Sequence, residues 1–358
     1  MKTAIIGLPM VGKTSLFTIL TGVHENATRV GSLEARVGIT KVPDARVDAL
    51  AKLYQPPKIT YATVEYFDFP SISKEALRDP SYLASLRVAD ALAHVLRVFE
   101  SDTVPHEKGS VDPLRDFEDV EVELMLSDLV VVEKRMERVD KDRKKIRSPE
   151  LDQEFALLER LKAELEANRP LRGLEYNAEE EKRIRGFQFL SQKPMLCVLN
   201  LGEKDAGRLH EVEEEYRKGP FAGRANTAVT AICGQIEAEL AELKQEEAKE
   251  LLSSYGLQES GMERLITATY SLLGLMSFLT AGETEVRAWT IPIHSRAVNA
   301  AGAIHSDFEK KFIRAEVINW QVLLDHDGYP GVKEKGLLRL EGKEYIVKDG
   351  DVLVIRHS

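Results

Sequence analysis

The chain opens with a short apolar run, Thr3 to Ile6, rich in β-branched residues. A Gly/Pro segment follows from Gly7 to Gly12. Thr14 to Leu20 then places Leu16, Phe17, Ile19 and Leu20 at helical spacing until Gly22. The pattern predicts strand, loop and helix in that order. Thr60 to Asp68 (TYATVEYFD) reads as a second strand. The run AHVLRVF, between Val88 and Phe99, reads as a third, after a short helix around Ser81 to Arg87. Met195 to Leu199 and Thr227 to Ile232 read as two more. Short continuous apolar strands separated by helices predict a parallel sheet covered on both faces.

Between the strands near 99 and 195 the pattern changes. Asp116 to Lys145 is charged, free of Gly and Pro, and spaces Val120, Leu124, Leu126, Val131, Met136 and Val139 roughly as a helix does. Ser148-Pro149 starts a second helix through Asn168, and Asn177 with Glu180 predicts a capping box for a third through Phe189. The expected arrangement is an antiparallel helical hairpin projecting from the α/β domain. Lys141, Arg143, Lys144, Lys145 and Arg147 cluster at its turn. They read chiefly as a solvated helix end, and secondarily as a contact for acidic partners or RNA phosphates. Lys244 to Thr280 is expected to be helical. Beyond it, VRAWTIPI alternates as a strand, AAGAIHSDFEKKF reads as a helix, and the remainder as short strands with Gly-rich turns. That texture predicts a small α+β module.

Composition narrows the classes. The 358 residues are 43% hydrophobic and 30% charged, with a net charge of −10. A chain this long buries a sufficient core without staples. The acidic balance argues against non-specific DNA binding, which needs a Lys/Arg surplus. Two cysteines, Cys197 and Cys233, exclude a disulfide framework and read as core residues. No stretch approaches a membrane span. A cytoplasmic, monomeric protein is the expectation.

The chemistry lies in Gly7-Leu8-Pro9-Met10-Val11-Gly12-Lys13-Thr14, which matches G-x-x-x-x-G-K-[ST]. Such a loop curls its N–H groups around phosphates, sends its Lys to the β- and γ-phosphates, and sets its Thr hydroxyl on Mg²⁺. Pro9, Met10, Val11, Gly12, Lys13, Thr14 and Ser15 are therefore nucleotide-binding candidates. Asp68, ending its strand, is the candidate carboxylate for Mg²⁺, directly or through water. Asn200-Leu201-Gly202-Glu203 follows a strand at its carboxyl end, where ligands bind in open α/β sheets.

Taken together, GLPMVGKTSLF, VPDARVDAL, ASLRVADALAHVLRVFESD, NLGE, EVRAWTIPI, AAGAIHSDFEKKFIRAE and YIVKDGDV resemble the YchF/Obg-like ATPase family of ribosome-associated P-loop proteins, over nearly the whole chain. The resemblance implies an α/β fold: a Ras-like P-loop NTPase domain (OBG-type G domain) over 1–115 and 187–277, a helical coiled-coil insertion over 116–186, and a C-terminal β-grasp (TGS) domain over 278–358. It implies ATP binding in preference to GTP, because N-x-x-E replaces the guanine-reading N-K-x-D. Asn200, the Leu201 backbone and Glu203 fall at those positions. It also implies Mg²⁺, a ribosomal partner and a link to translation.

Several positions depart from the family pattern. Met10 stands where the family has Asn. Aligning the first switch puts Ser32 at its Mg²⁺-binding Thr and Glu34 at its Glu. The second switch, D-I-A-G-L followed by a Gly-rich loop, is here Asp68-Phe69-Pro70-Ser71-Ile72 with no glycine. Pro70 removes a donor and Ser71 restricts φ, which weakens switching through the γ-phosphate. Ile72 leaves no water-orienting Gln, so His106, in a loop resembling the family's His-containing loop, is the remaining catalytic candidate beside Lys13. The leading expectation is a Mg²⁺-dependent nucleoside triphosphatase. The alternative is an ATP/GTP-binding adaptor that has lost turnover. A P-loop kinase is disfavoured, since the insertion offers no acceptor pocket.

Overall fold

The computed structural model describes residues 1–23, 35–73 and 76–358. Its strands, in chain order, are β1 Lys2–Ile6, β2 Arg36–Lys41, β3 Lys58–Thr60, β4 Thr63–Asp68, β5 Ala91–Arg97, β6 Met195–Asn200, β7 Thr227–Ile232, β8 Leu275–Ala281, β9 Glu285–Pro292, β10 Phe312–Asn319, β11 Arg339–Glu341 and β12 Asp351–His357. The chain separates into two compact units. One comprises residues 1–39 and 65–269, the other 40–64 and 270–358. This differs from the sequence division at two places. Residues 40–64, expected in the first domain, belong to the second unit, and a boundary at 278 would cut through β8.

The first unit is built on a sheet of order β2-β4-β1-β5-β6-β7. The pairings of β1 with β4 and β5, of β5 with β6, and of β6 with β7 are all parallel. β5 and β6 are buried along their whole length, as expected of strands covered on both faces. β1 lies between β4 and β5, with the earlier strands on one side of it and the later strands on the other, so the carboxyl ends of these strands open a crevice at a switch point.

The helical hairpin is present: helices Pro113–Arg143 and Pro149–Glu166 run antiparallel, tied by Arg143–Asp152 (2.6 Å), Arg135–Glu154 (2.6 Å) and Lys162–Glu133 (2.8 Å). The first begins where Asp112 accepts from the Arg115 N–H with Pro113 in the first turn. Leu157, Leu158, Leu161 and Leu165 pack against Met125, Val132 and Val139. The capping box of Asn177 and Glu180 forms as read, although its helix ends at Ile184. At the tip, Arg143, Lys144 and Lys145 are paired with Asp152, Asp140 and Asp142, so much of the basic cluster is locally neutralised.

The root of the hairpin is polar and buried. Glu121 takes the Arg172 guanidinium at 2.7–2.9 Å, and Arg172 Nε donates to the Lys193 carbonyl. Asp128, fully buried, accepts from the Leu190 and Ser191 N–H groups, the Ser191 hydroxyl and Arg87. Phe117 stacks on His94 of β5 at 5.7 Å. His94 is completely buried and neither ring nitrogen has a partner among the described residues.

The second unit carries a mixed sheet of order β11-β10-β12-β8-β9-β3. Its core joins Met276, Phe278, Ile291, Ala300, Phe312, Val317 and Leu353, with Trp289 packed against them. Three expectations fail here for local reasons. The helix read through Thr280 stops at Leu272, because Gly274 adopts φ 61° and β8 begins at Leu275. The strand read over Thr60 to Asp68 is two strands, β3 pairing with β9 and β4 with β1. The helix read over AAGAIHSDFEKKF breaks at His305, whose ring accepts from the Asp307 N–H and starts a new turn.

Two stability predictions follow from the buried polar groups. Glu121→Ala strands Arg172 in the interior and should cost about 3–5 kcal/mol in urea unfolding, most of it recovered by adding Arg172→Met. Burial, then the nearby Lys13 and Arg172, push the His94 imidazole down to about 3. Its folded form therefore stays neutral while the unfolded chain takes up a proton below about 6.5, so stability falls as pH falls. About 2 kcal/mol should be lost between pH 8 and pH 5. His94→Phe, which keeps the ring on Phe117, should flatten that part of the pH profile of the urea midpoint.

Candidate functional site

The phosphate loop begins at Gly7, whose φ is 146°; a Cβ there would stand 2.6 Å from the Val95 carbonyl. Only glycine fits. Met10 adopts φ 59° with its side chain 63% exposed, and Gly12 adopts φ 98° before the helix Lys13–Thr21. A Cβ on Gly12 would meet Asn200 Nδ2 at 2.6 Å. Asn200 explains this closeness. Its Nδ2 donates to the Val11 carbonyl at 3.0 Å and its Oδ1 accepts from the Gly234 N–H at 3.1 Å. Asn200 thus brackets the phosphate loop against the loop after β7. The sequence suggests it as an adenine contact, but both of its polar atoms are engaged by the protein. Leu201 is buried, and its N–H donates to the Ile232 carbonyl. Glu203 is exposed and takes hydrogen bonds from Gln235 (3.0 Å) and Tyr255 (3.2 Å).

Lys13 Nζ donates to the Leu8 carbonyl (2.6 Å) and to the Ser71 hydroxyl (2.9 Å). Burial pushes its ammonium down to about 8, with Asp68 and Glu107 pulling the other way. Thr14 Oγ1 donates to Asp68 Oδ2 at 3.3 Å. Asp68 also pairs with Arg36, while its Oδ1 is buried without a partner among the described residues. Thr14 and Ser15 are exposed at the head of the helix. An orphaned carboxylate oxygen beside a helix-N-terminal hydroxyl is a donor set that suits a hard divalent cation completed by phosphate oxygens and water. Among the described residues no cluster of three or more His, Cys, Asp or Glu offers a self-contained metal site.

The segment after Asp68 is held at Phe69, Pro70 and Ile72. Phe69 is buried edge-on to Tyr82 at 5.5 Å, and the Tyr82 hydroxyl donates to the Pro70 carbonyl. The Ile72 N–H donates to the Gly7 carbonyl at 3.1 Å and its side chain is buried.

His106 is not brought to the Lys13–Asp68 cluster by any of its bonds. Its Nδ1 accepts from the Lys108 N–H and its Nε2 meets Asp116 at 2.8 Å, so it fastens its loop to the root of the hairpin. Ser32, the expected switch hydroxyl, and Glu34 lie outside the described residues. The structure adds Arg36 and Gly234 to the site, which sequence reasoning missed. Gly234 had no signal beyond following a strand. Arg36 had none at all, since its pairing with Asp68 joins strands 32 residues apart.

Comparison with known proteins agrees with this geometry. Residues 275–358 match the family YchF-GTPase_C, described as a protein of unknown function (DUF933). The Ribosome-binding ATPase YchF of Bacillus subtilis (strain 168) is 40% identical over 364 residues, covering 100% of this chain and 99% of its own. The protein of the same name from Escherichia coli O157:H7 is 39% identical, covering 98% of each. The structure of the Schizosaccharomyces pombe YchF GTPase superposes with a TM-score of 0.82 at 27% identity, over 99% of this chain and 97% of that one. A loop fitted to phosphates, a Thr–Asp pair suited to a cation and full-length similarity at this level lead to one assignment: the chain belongs to the YchF family.

Proposed function

We propose that the protein is a ribosome-associated nucleoside triphosphatase of the cytoplasm, using ATP in preference to GTP. The observation that carries the reading is the convergence of Lys13, Thr14 and Asp68 at the mouth of a loop that only glycine at position 7 permits. Lys13 exchanges Leu8 and Ser71 for phosphate oxygens, which is where its charge is best satisfied. Thr14 and Asp68 would hold Mg²⁺, which would supply neutralisation of phosphate charge. The names of the relatives, ribosome-binding ATPase and GTPase, support the activity class and the ribosomal partner. ATP preference is supported by Glu203. Its carboxylate, at the place where N-K-x-D proteins read guanine, is already taken by Gln235 and Tyr255.

The second reading, an adaptor that binds nucleotide without turnover, is favoured by one observation: Phe69 to Ile72 is locked by core packing and hydrogen bonds. Phosphate release from ATP and GTP, with and without ribosomes, separates the two. Hydrolysis stimulated by ribosomes and abolished by Lys13→Ala supports the enzyme, whereas tight ATP binding with no release in either setting supports the adaptor. Asn200→Ala should unclamp the phosphate loop and weaken nucleotide binding by about tenfold in calorimetry, because a buried carbonyl and N–H lose their partners.

A further inference from the structure

Arg36 is the unexplained cation of the site. It comes from the start of β2, and its guanidinium rests on two features of the first unit. One nitrogen, Nη2, pairs with Asp68 Oδ2, the oxygen that also accepts from Thr14. The guanidinium carbon lies 5.0 Å from the centre of the buried Phe17 ring, on the helix that Lys13 begins. The other nitrogen, Nη1, is buried and has no partner among the described residues. The Asp68 side chain is only 5% exposed, while that of Arg36 is 22% exposed, so the carboxylate is withdrawn from solvent and the guanidinium is half-buried.

A buried, unpaired guanidinium N–H is costly unless an acceptor arrives. Arginine's planar fork matches phosphate oxygens and keeps its charge at any working pH. The ion pair therefore presents a positive group, fixed by an aromatic ring, on the carboxylate that suits a divalent cation. We propose that Arg36 is a built-in counter-cation of the phosphate site, standing in for the metal's charge on Asp68 and offering Nη1 to a nucleotide phosphate oxygen. Nucleotide binding then tolerates the absence of Mg²⁺, and Mg²⁺ gains access to Asp68 only by displacing Arg36. The inference rests on the reading of the site as nucleotide-binding.

The test is the affinity of the full-length chain for a fluorescent ATP analogue, measured by titration in EDTA and in excess Mg²⁺. Wild type should bind in EDTA within about threefold of its affinity in Mg²⁺, since Arg36 supplies the charge-assisted contact. Arg36→Ala should lose about tenfold or more in EDTA but little in Mg²⁺, where the metal replaces the missing charge. Arg36→Gln keeps a donor for Asp68 and removes only the charge, so it guards against a folding defect and should behave as Arg36→Ala does. Equal ratios of the two affinities in wild type and Arg36→Gln overturn the proposal. So does a wild type that already needs Mg²⁺ by a factor of about ten. Loss of affinity in both media by the Arg36 variants would make Arg36 a general phosphate contact, also against it. Failure of wild type to bind in either medium removes the nucleotide reading, and the inference with it; that outcome is distinct because it does not depend on residue 36.

Discussion

Asp68 ends β4 with its carboxylate almost wholly out of water, and a buried negative charge must be balanced nearby. The residues around it are arranged to that end. Arg36 pairs with one oxygen, Thr14 donates to the same oxygen, and Lys13 feels the charge from the head of the helix. The other oxygen has no partner among the described residues, which suits the site to a cation. Lys13 in turn is held back from solvent by the Leu8 carbonyl and Ser71, so the same electrostatic centre fixes the phosphate loop and the start of the segment after β4.

The path of the chain gives this centre a second significance. Arg36 and Asp68 lie on strands that flank residues 40–64, and that segment is built into the second unit. There Arg46 joins Asp44 to Asp349, Tyr54 accepts from the Tyr329 N–H, and β3 adds to β9. These contacts explain why the segment left the first unit. Its helix Ala45–Tyr54 buries Val47 and Leu50, and its Lys58 and Thr60 share Glu285. Arg36 and Asp68 themselves stand outside that segment, both within the first unit.

Much of this was legible in the sequence. Periodicity located the central strands of the first sheet, the hairpin and its capping box, and the phosphate-loop motif placed Lys13, Thr14 and Asp68 together. What stayed hidden depends on pairing partners far along the chain. TYATVEYFD reads as one alternating strand, yet its halves join different sheets, and nothing local marks Tyr61-Ala62 as the break. Asn200 carries the right chemistry for a base contact, but its amide is spent on Val11 and Gly234, a geometry that only the folded loops define. The charge run at the hairpin tip looked open because Asp152, nine residues beyond Arg143, comes alongside only once the helices turn back.

The altered second switch illustrates how energetics decide between mobile and fixed. Moving Phe69 to Ile72 out of place exposes Phe69 and breaks the Tyr82–Pro70 and Ile72–Gly7 hydrogen bonds. Exposing the ring costs about 2–3 kcal/mol and each bond about 1 kcal/mol. A γ-phosphate can shift such an equilibrium only by its differential contacts, and a single charge-assisted hydrogen bond supplies about 1.5–3 kcal/mol. With a proline at 70 and no glycine at 71, the backbone N–H that would make that contact is not freely presented. The side-chain contact from Lys13 to Ser71 is different. It costs one hydrogen bond to release, and Lys13 must release it to reach phosphate. Any difference between the empty and nucleotide-bound protein at this strand end is therefore concentrated on the Ser71 hydroxyl and the Arg36–Asp68 pair, with the backbone between them held still.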